Sequence, residues 1–242
     1  MVLTIMVANS NDAVLLYHGI LEAYEDVGKE LIGPDVVEKH IVKKMSYYIK
    51  NFIPDYSLPD SEGELEQDLL IFLAKTKEKV KMALEKPDQV LFTNENVWEL
   101  RAAIFGFESA FIEILGEHVI RDYVFSRIAE ILSIYLPNTF IKNANLEDKL
   151  KSYTNYLTSR ELVKFSNFTL EEEANRNKTV KISANKCIFA QIHDSEAYSN
   201  SKVRFCPWGM IGSSIVTQHE GKSSTIKSCQ FVTRGTISKV SY

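Results

Sequence analysis

Apolar residues in the first two thirds of the chain recur at helical spacing. Val97, Leu100, Ile104, Phe107, Phe111 and Ile114 fall three or four positions apart, which is one face of a helix. Gly116 follows, a residue type that ends helices by taking a left-handed backbone. A second apolar run, Val119 to Tyr135, stops before Pro137, which cannot continue a helix. The same helix–break–helix pattern stands 83 residues earlier, and residues 11–54 align with 94–137 without a gap. Asn11 meets Asn94, Val14 meets Val97, Glu25 meets Glu108, Gly33 meets Gly116, Val36 meets Val119 and Pro54 meets Pro137. A period this long marks a duplicated supersecondary unit. The apolar stripes are broad, as in packed globular helices, and not the narrow seam of a coiled coil.

A further amphipathic segment follows each copy, Glu64–Leu84 and Leu146–Phe165. Their openings are related, Leu65-Glu66-Gln67-Asp68-Leu69 and Leu146-Glu147-Asp148-Lys149-Leu150, and both segments predict helices. The polar, acidic stretch 167–177 reads as a loop. After Lys178 the pattern turns to alternation. Thr179-Val180-Lys181-Ile182 and, more loosely, Cys187–Ile192 predict strands. Phe205–His219 predicts a helix, with Gly221 just past its end. Ser224–Thr233 and Thr236–Val240 predict a hairpin turning at Arg234-Gly235. The expected fold is α+β: a duplicated N-terminal helical unit packed on helices, plus a small antiparallel sheet in the order ββαββ at the C-terminus. The repeat places a helical unit over 1–92 and an α+β domain over 93–242.

Composition narrows the functional classes. At 242 residues and 45% hydrophobic, the chain can bury a real core. No stretch approaches the roughly 20 apolar residues of a membrane span. Met1–Val7 lacks the basic flank and apolar length of a signal peptide, so the expected location is cytoplasmic. The net charge of −4 is uneven: residues 1–177 hold 19 Lys/Arg against 29 Asp/Glu, and residues 178–242 hold 9 against 3. These bases are not interleaved with aromatic residues in a nucleic-acid pattern, so nucleic acid is not an expected partner. The chain has no Gly-rich phosphate loop, no G-x-S-x-G and no telling pair of carboxylates.

All three cysteines fall after residue 186, in Lys186-Cys187-Ile188-Phe189, Phe205-Cys206-Pro207-Trp208 and Ser228-Cys229-Gln230-Phe231. Cys187 is followed at a ligand-compatible spacing by His193. Thiolate and imidazole suit zinc, so Cys187, His193, Cys206 and Cys229 are the candidate metal set. Two other readings stay open. The cysteines can be small buried hydrophobes. Alternatively, Cys206, at the opening of a helix, can be a reactive thiol, paired with His193 or His219. The aromatic residues Phe107, Phe111, Phe125 and Trp208 are candidates to line a hydrophobic ligand pocket.

Several of these residues carry a resemblance. A helix pair, two strands with Cys187 and His193, a helix opening with Cys206-Pro207-Trp208, then Gly221-Lys222 and Cys229-Gln230-Phe231 leading into Arg234-Gly235-Thr236 resemble the 4-vinyl reductase domain family. The likeness is to its archaeal branch of predicted hydrocarbon-binding proteins, and it covers roughly residues 95–242. It implies a fold shared with membrane-traffic tethering subunits and dimerisation through the long helices. It also implies a site for small hydrophobic molecules beside a zinc held, in related aromatic-sensing activators, by three cysteines and a glutamate. Cys206 and Cys229 match two of those cysteines in order. The third has no counterpart in Thr236-Ile237-Ser238-Lys239, nor the glutamate in Ile226-Lys227-Ser228. Cys187 and His193 stand as replacement ligands.

The expected function is therefore binding of a small hydrophobic ligand, with a zinc site, in a sensor or carrier role. The chain is expected to be a homodimer or, through its repeat, an internal pseudo-dimer. A non-catalytic scaffold or tethering subunit and a cysteine-dependent enzyme are the alternatives.

Overall fold

The structure, a computed structural model, describes residues 10–52, 62–86, 90, 92–135, 145–172, 178–187, 206–232 and 235–242. The chain forms two compact units, Met1–Ile114 and Leu115–Tyr242.

The first unit is helical. It holds α1 (Ser10–Leu31), α2 (Pro34–Phe52), α3 (Glu62–Glu85) and α4 (Asn94–Leu115). The break between α1 and α2 is made by Gly33, whose φ of 89° lies in the left-handed region that a side chain disfavours. Pro34 then opens α2, where its missing N–H costs nothing. The apolar stripe of α1 is fully enclosed: Val14, Tyr17, Ile20, Leu21, Tyr24 and Val27 are each at most 1% exposed. Helix α3 is tied to α1 by Lys77, which reaches both Glu22 and Glu25.

The repeat is visible in the packing of this unit. Helices α1 and α4 are aligned by the 83-residue offset, and they touch at matching positions. Tyr24 aligns with Phe107, and their ring centroids are 6.0 Å apart. Gly28 aligns with Phe111, and a Cβ built on Gly28 would lie 3.2 Å from the Phe111 ring. Aligned positions of the two copies thus meet where α1 and α4 pack.

The second unit begins with a single turn, α5 (Glu117–Val119), which passes through a π-helical turn, Ile120–Val124, into α6 (Phe125–Tyr135). Its break residue, Gly116, has φ 81° and repeats the conformation of Gly33. Then come α7 (Leu146–Ser159), β1 (Phe165–Glu172), β2 (Lys178–Asn185), α8 (Pro207–Glu220), β3 (Thr225–Val232) and β4 (Gly235–Ser241). The four strands form one antiparallel sheet in the order β1-β2-β4-β3. The fold is α+β, with strands and helix in the expected ββαββ order. Among the described residues, no helix is long and apolar enough to cross a membrane.

The first strand comes from an unexpected place. The stretch 167–177 reads as a loop by composition, yet residues up to Glu172 pair with β2. Helix α7, expected to reach Phe165, stops at Ser159. A Schellman motif ends it: Glu161 N–H bonds to Thr158 O, Leu162 N–H bonds to Leu157 O, and Glu161 has φ 56°. Leu157 and Leu162, the two positions that form the hydrophobic contact of such a motif, are both fully buried. The polar composition of β1 follows from its place at a sheet edge. Glu171 pairs there with Lys181 of β2, 2.7 Å away, the kind of charge that shields an open edge. Cys187, placed at the start of a strand by its sequence, lies two residues past the end of β2, after Lys186 turns the chain with φ 52°. Residues 188–192 of that expected strand lie outside the described residues.

Helices α7 and α8 cover one face of the sheet. Val180, Ile182 and Ala184 of β2 and Thr236, Ser238 and Val240 of β4 point to that face and are buried. Helix α8 sits unusually close to it. A Cβ on Gly212 would lie 2.0 Å from Ile182 Cδ1, and one on Gly209 would lie 2.2 Å from Ser238 Oγ. With no side chain at either glycine, the helix backbone rests directly on the strands.

Candidate functional site

The N-terminus of α8 carries the chemistry. Cys206 is its N-cap residue, in extended conformation, and Pro207 occupies the first helical position. The Cys206 carbonyl accepts from Met210 N–H at 3.1 Å, so the cap is closed by backbone. Close seating at Gly209 brings this end of the helix onto β4. There the Thr236 hydroxyl donates to Cys206 Sγ at 2.9 Å.

Period-two geometry places the next sulfur. Cys229 of β3 lies opposite Ser238 of β4, and their Sγ and Oγ atoms are 3.4 Å apart. Ser238 and Thr236 share the inward face of β4, so Cys206 and Cys229 meet, and their sulfurs hydrogen-bond. A bulge between Ile226 and Ser228 resets the register just before Cys229. Cys206 is buried, Cys229 is half-buried, and none of the three cysteines is in a disulfide.

The third sulfur lies against the same helix end. Trp208 Nε1–H donates to Cys187 Sγ at 3.0 Å. Tyr153 of α7 donates its hydroxyl to the Trp208 carbonyl at 2.7 Å. Burial holds the Tyr153 hydroxyl well above its ordinary range, and negative charge at Cys206 and Cys187 adds to the effect. Tyr153 is thus within electrostatic reach of both sulfurs.

Two effects compete at Cys206. Burial pushes its thiol up. Hydrogen bonds from Cys229, from Thr236 and from the N–H groups of Gly209 and Trp208 outweigh burial and bring it down to about 7. The sulfur makes no strict cap hydrogen bond, so the two N–H groups act mainly as aligned dipoles. Cys229 moves the other way, well above its ordinary value, first because its S–H is held by Cys206 and then by burial. The pair shares one proton, with the negative charge resting on Cys206.

Of the four expected metal ligands, Cys206 and Cys229 are brought together, Cys187 is engaged by Trp208, and His193 lies outside the described residues. Among the described residues no group of three or more histidine, cysteine, aspartate or glutamate side chains converges. Cys206 and Cys229 alone provide soft donors at one point, half of a tetrahedral thiolate set. His219 is thirteen residues along α8 from Cys206, about 20 Å at helical rise, too far to serve it as a base.

The four expected ligand-binding aromatics are each at most 4% exposed. Phe107 and Phe111 belong to α4 in the first unit, where they pack edge-on to each other at 6.0 Å and against Tyr24. Phe125 and Trp208 belong to the second unit.

Ser238 and Tyr153 join the site without having been singled out by sequence, and Thr236, read there only as part of the hairpin turn, joins it as a hydrogen-bond donor. Two signals pointed to them: Gly209 and Gly212 three apart on one helix face, and Thr236, Ser238 and Val240 alternating along β4. No family model, curated protein or solved structure matches the chain.

Proposed function

We propose that the second unit is a binding module for a small hydrophobic molecule, in a sensor or carrier role, with the sulfur cluster under α8 as its centre. One observation carries this reading. Thr236, Ser238 and Cys229 occupy inward positions of a small sheet, where Val or Ile would stabilise the fold more. Burying hydroxyls and thiols there costs free energy unless they bond to each other. Such a polar, polarisable spot inside an apolar layer suits recognition better than it suits folding. Cys206 and Cys229 are the residues that would hold a zinc ion, with Cys187 and His193 completing the set. Such an ion would supply a fixed positive charge beside the ligand.

Native mass spectrometry of the chain purified from cells, with elemental analysis of the same sample, tests the proposal. A retained apolar molecule that is lost in Trp208→Ala supports it. A bare chain that takes up no apolar probe overturns it. Zinc near one equivalent per chain, lost in Cys206→Ser, supports the metal component.

The cysteine-dependent enzyme is the second reading, favoured by the low Cys206 thiol at a helix N-terminus. An alkylation rate at neutral pH no faster than that of a free thiol removes it.

A further inference from the structure

We propose that Cys206 and Cys229 form a reversible dithiol–disulfide couple, at which the second unit exchanges with small disulfides. The two sulfurs face each other over the inward hydroxyls of one strand, at positions 236 and 238 of β4. They are hydrogen-bonded to each other, and each is steadied by a hydroxyl on β4, Thr236 at 2.9 Å for Cys206 and Ser238 at 3.4 Å for Cys229. A disulfide needs its sulfurs roughly 2 Å apart, so closure requires one of the two elements to move toward the other.

The element that must give is suited to it. Among the described residues β3 is an edge strand, paired with β4 on one side, and its ladder is interrupted by the bulge between Ile226 and Ser228. Cys206 is fixed instead by the first turn of a buried helix. The two thiols also differ in access. Cys229 is partly open and Cys206 is enclosed, which separates an entry thiol from a resolving thiol. Cys187 takes no part, because Trp208 holds its sulfur.

The exchange runs in two displacements. Cys229, once its proton has passed to the Cys206 thiolate, attacks a small disulfide such as oxidised glutathione. The reagent's S–S bond breaks, a mixed disulfide forms, and one glutathione leaves with the proton that Cys229 gave up. Cys206 as thiolate then attacks the Cys229 sulfur. The protein disulfide closes, and the second glutathione leaves as thiolate and takes its proton from water. The protein loses two electrons and the reagent gains them. Closure draws Cys206 from Thr236 and from the helix N-terminus, so it alters the spot proposed above for binding. The couple does not depend on that proposal, since a chain without ligand or zinc still carries both thiols.

The full chain, treated with chelator and incubated in glutathione buffers of graded redox ratio, tests the couple. Acid quenching, alkylation of remaining thiols and peptide mapping by mass spectrometry give the readout. The expected result is loss of two thiols per chain, a linked Cys206–Cys229 peptide, and Cys187 still alkylated. Cys206→Ser should stop at a glutathione adduct on Cys229, and chelator-treated Cys187→Ser should still give the linked Cys206–Cys229 peptide. If Cys206→Ser does not fold, the parent and Cys187→Ser decide: the linked peptide in both supports the couple, and its absence from either overturns it. A folded chain in which Cys206 and Cys229 stay reduced while Cys187 takes up glutathione also overturns it, as does a linked peptide that forms only after denaturation. Binding of an apolar molecule is read separately by native mass spectrometry, so the two ideas fail independently.

Discussion

The Thr236 hydroxyl donates to the Cys206 sulfur across 2.9 Å, and so joins the middle strand pair to the cap of α8. That hydrogen bond favours the thiolate over the thiol. Thr236→Val keeps the shape and removes the donor, and a hydrogen bond to a charged group contributes about 1.5–3 kcal/mol. The Cys206 titration should therefore move up by about one pH unit or more. The pH dependence of alkylation, read by mass spectrometry on the Cys206 peptide, gives the midpoint. An unchanged midpoint would mean that Thr236 does not set the acidity.

The same pair predicts a pH profile for stability. Cys206 is held at about 7 in the folded chain against an ordinary 9.0. A depressed folded value contributes stability that is complete above 9.0 and is lost as pH falls toward 7. Cys229 is raised, so its contribution is present below 9.0 and is lost as pH climbs through its folded value. The two effects together place the thiol contribution at its greatest near pH 9. Denaturant midpoints between pH 6 and 10 should rise toward about pH 9 in the parent more than in Cys206→Ser, by no more than about 3 kcal/mol. A parallel pair of curves would show that the thiols do not couple to folding.

What the sequence disclosed and what it withheld divide along physical lines. The helices α1, α2, α4 and α6 were legible because long amphipathic runs are set by local periodicity, and because the repeat showed each of them twice. β1 was not legible. An edge strand exposes one backbone side and most of its side chains, so its residues look like those of a loop. The sulfurs were visible as residue types. Their meeting was not, because it depends on the close approach at Gly209, on the bulge before Cys229 and on two hydroxyls of β4. Those are packing facts: the glycine spacing and the β4 alternation mark the faces involved, but which faces meet is not written in any local pattern.

In the first unit, Tyr24 donates to Glu108 Oε1 at 3.1 Å, and both side chains are buried. Burial first, and the Glu108 carboxylate second, hold the Tyr24 phenol well above its ordinary 10.0. Tyr24→Phe strips a donor from a buried carboxylate and should cost about 1–3 kcal/mol. The sign with pH follows. A raised folded value contributes stability that is present below pH 10 and lost above it. The parent should therefore weaken above pH 10 more steeply than Tyr24→Phe, as read by alkaline denaturation with far-ultraviolet circular dichroism. Equal slopes would exclude Tyr24 as the responsible group.

Lys77 is the tie between α3 and α1, standing 3.1 Å from Glu22 and closer to Glu25. It is partly open to water, so its worth is that of a screened pair. Lys77→Met should lower stability by about 1 kcal/mol or less at low salt, and by less still in molar salt. Denaturant unfolding at two ionic strengths measures both. A loss that does not shrink with salt would assign the effect to packing of the lysine stem instead of to its charge.

The closest test of the site's architecture is the seat of α8. Alanine is the better helix former by roughly 0.8–1 kcal/mol, so on propensity alone Gly212→Ala would stabilise. The added Cβ, however, would stand 2.0 Å from Ile182 Cδ1. Overpacking of a buried contact costs about 1–3 kcal/mol, which exceeds the propensity gain, so Gly212→Ala should destabilise. The clash is with the far end of one side chain. Ile182→Val removes that methyl, at a cost of about 0.5–1.5 kcal/mol when made alone. Combined, the two changes should be less destabilising than their sum by about 1 kcal/mol or more, a coupling expected only between touching residues. Gly209→Ala has no such relief, because its Cβ would meet Ser238 at Cβ, 2.6 Å away, as well as at Oγ. It should lift the N-terminus of α8 from β4 and part Cys206 from Thr236, with the Cys206 titration moving up toward an ordinary thiol. Additive Gly212 and Ile182 changes, together with an unmoved titration in Gly209→Ala, would show that the helix does not rest on the strands at these two glycines.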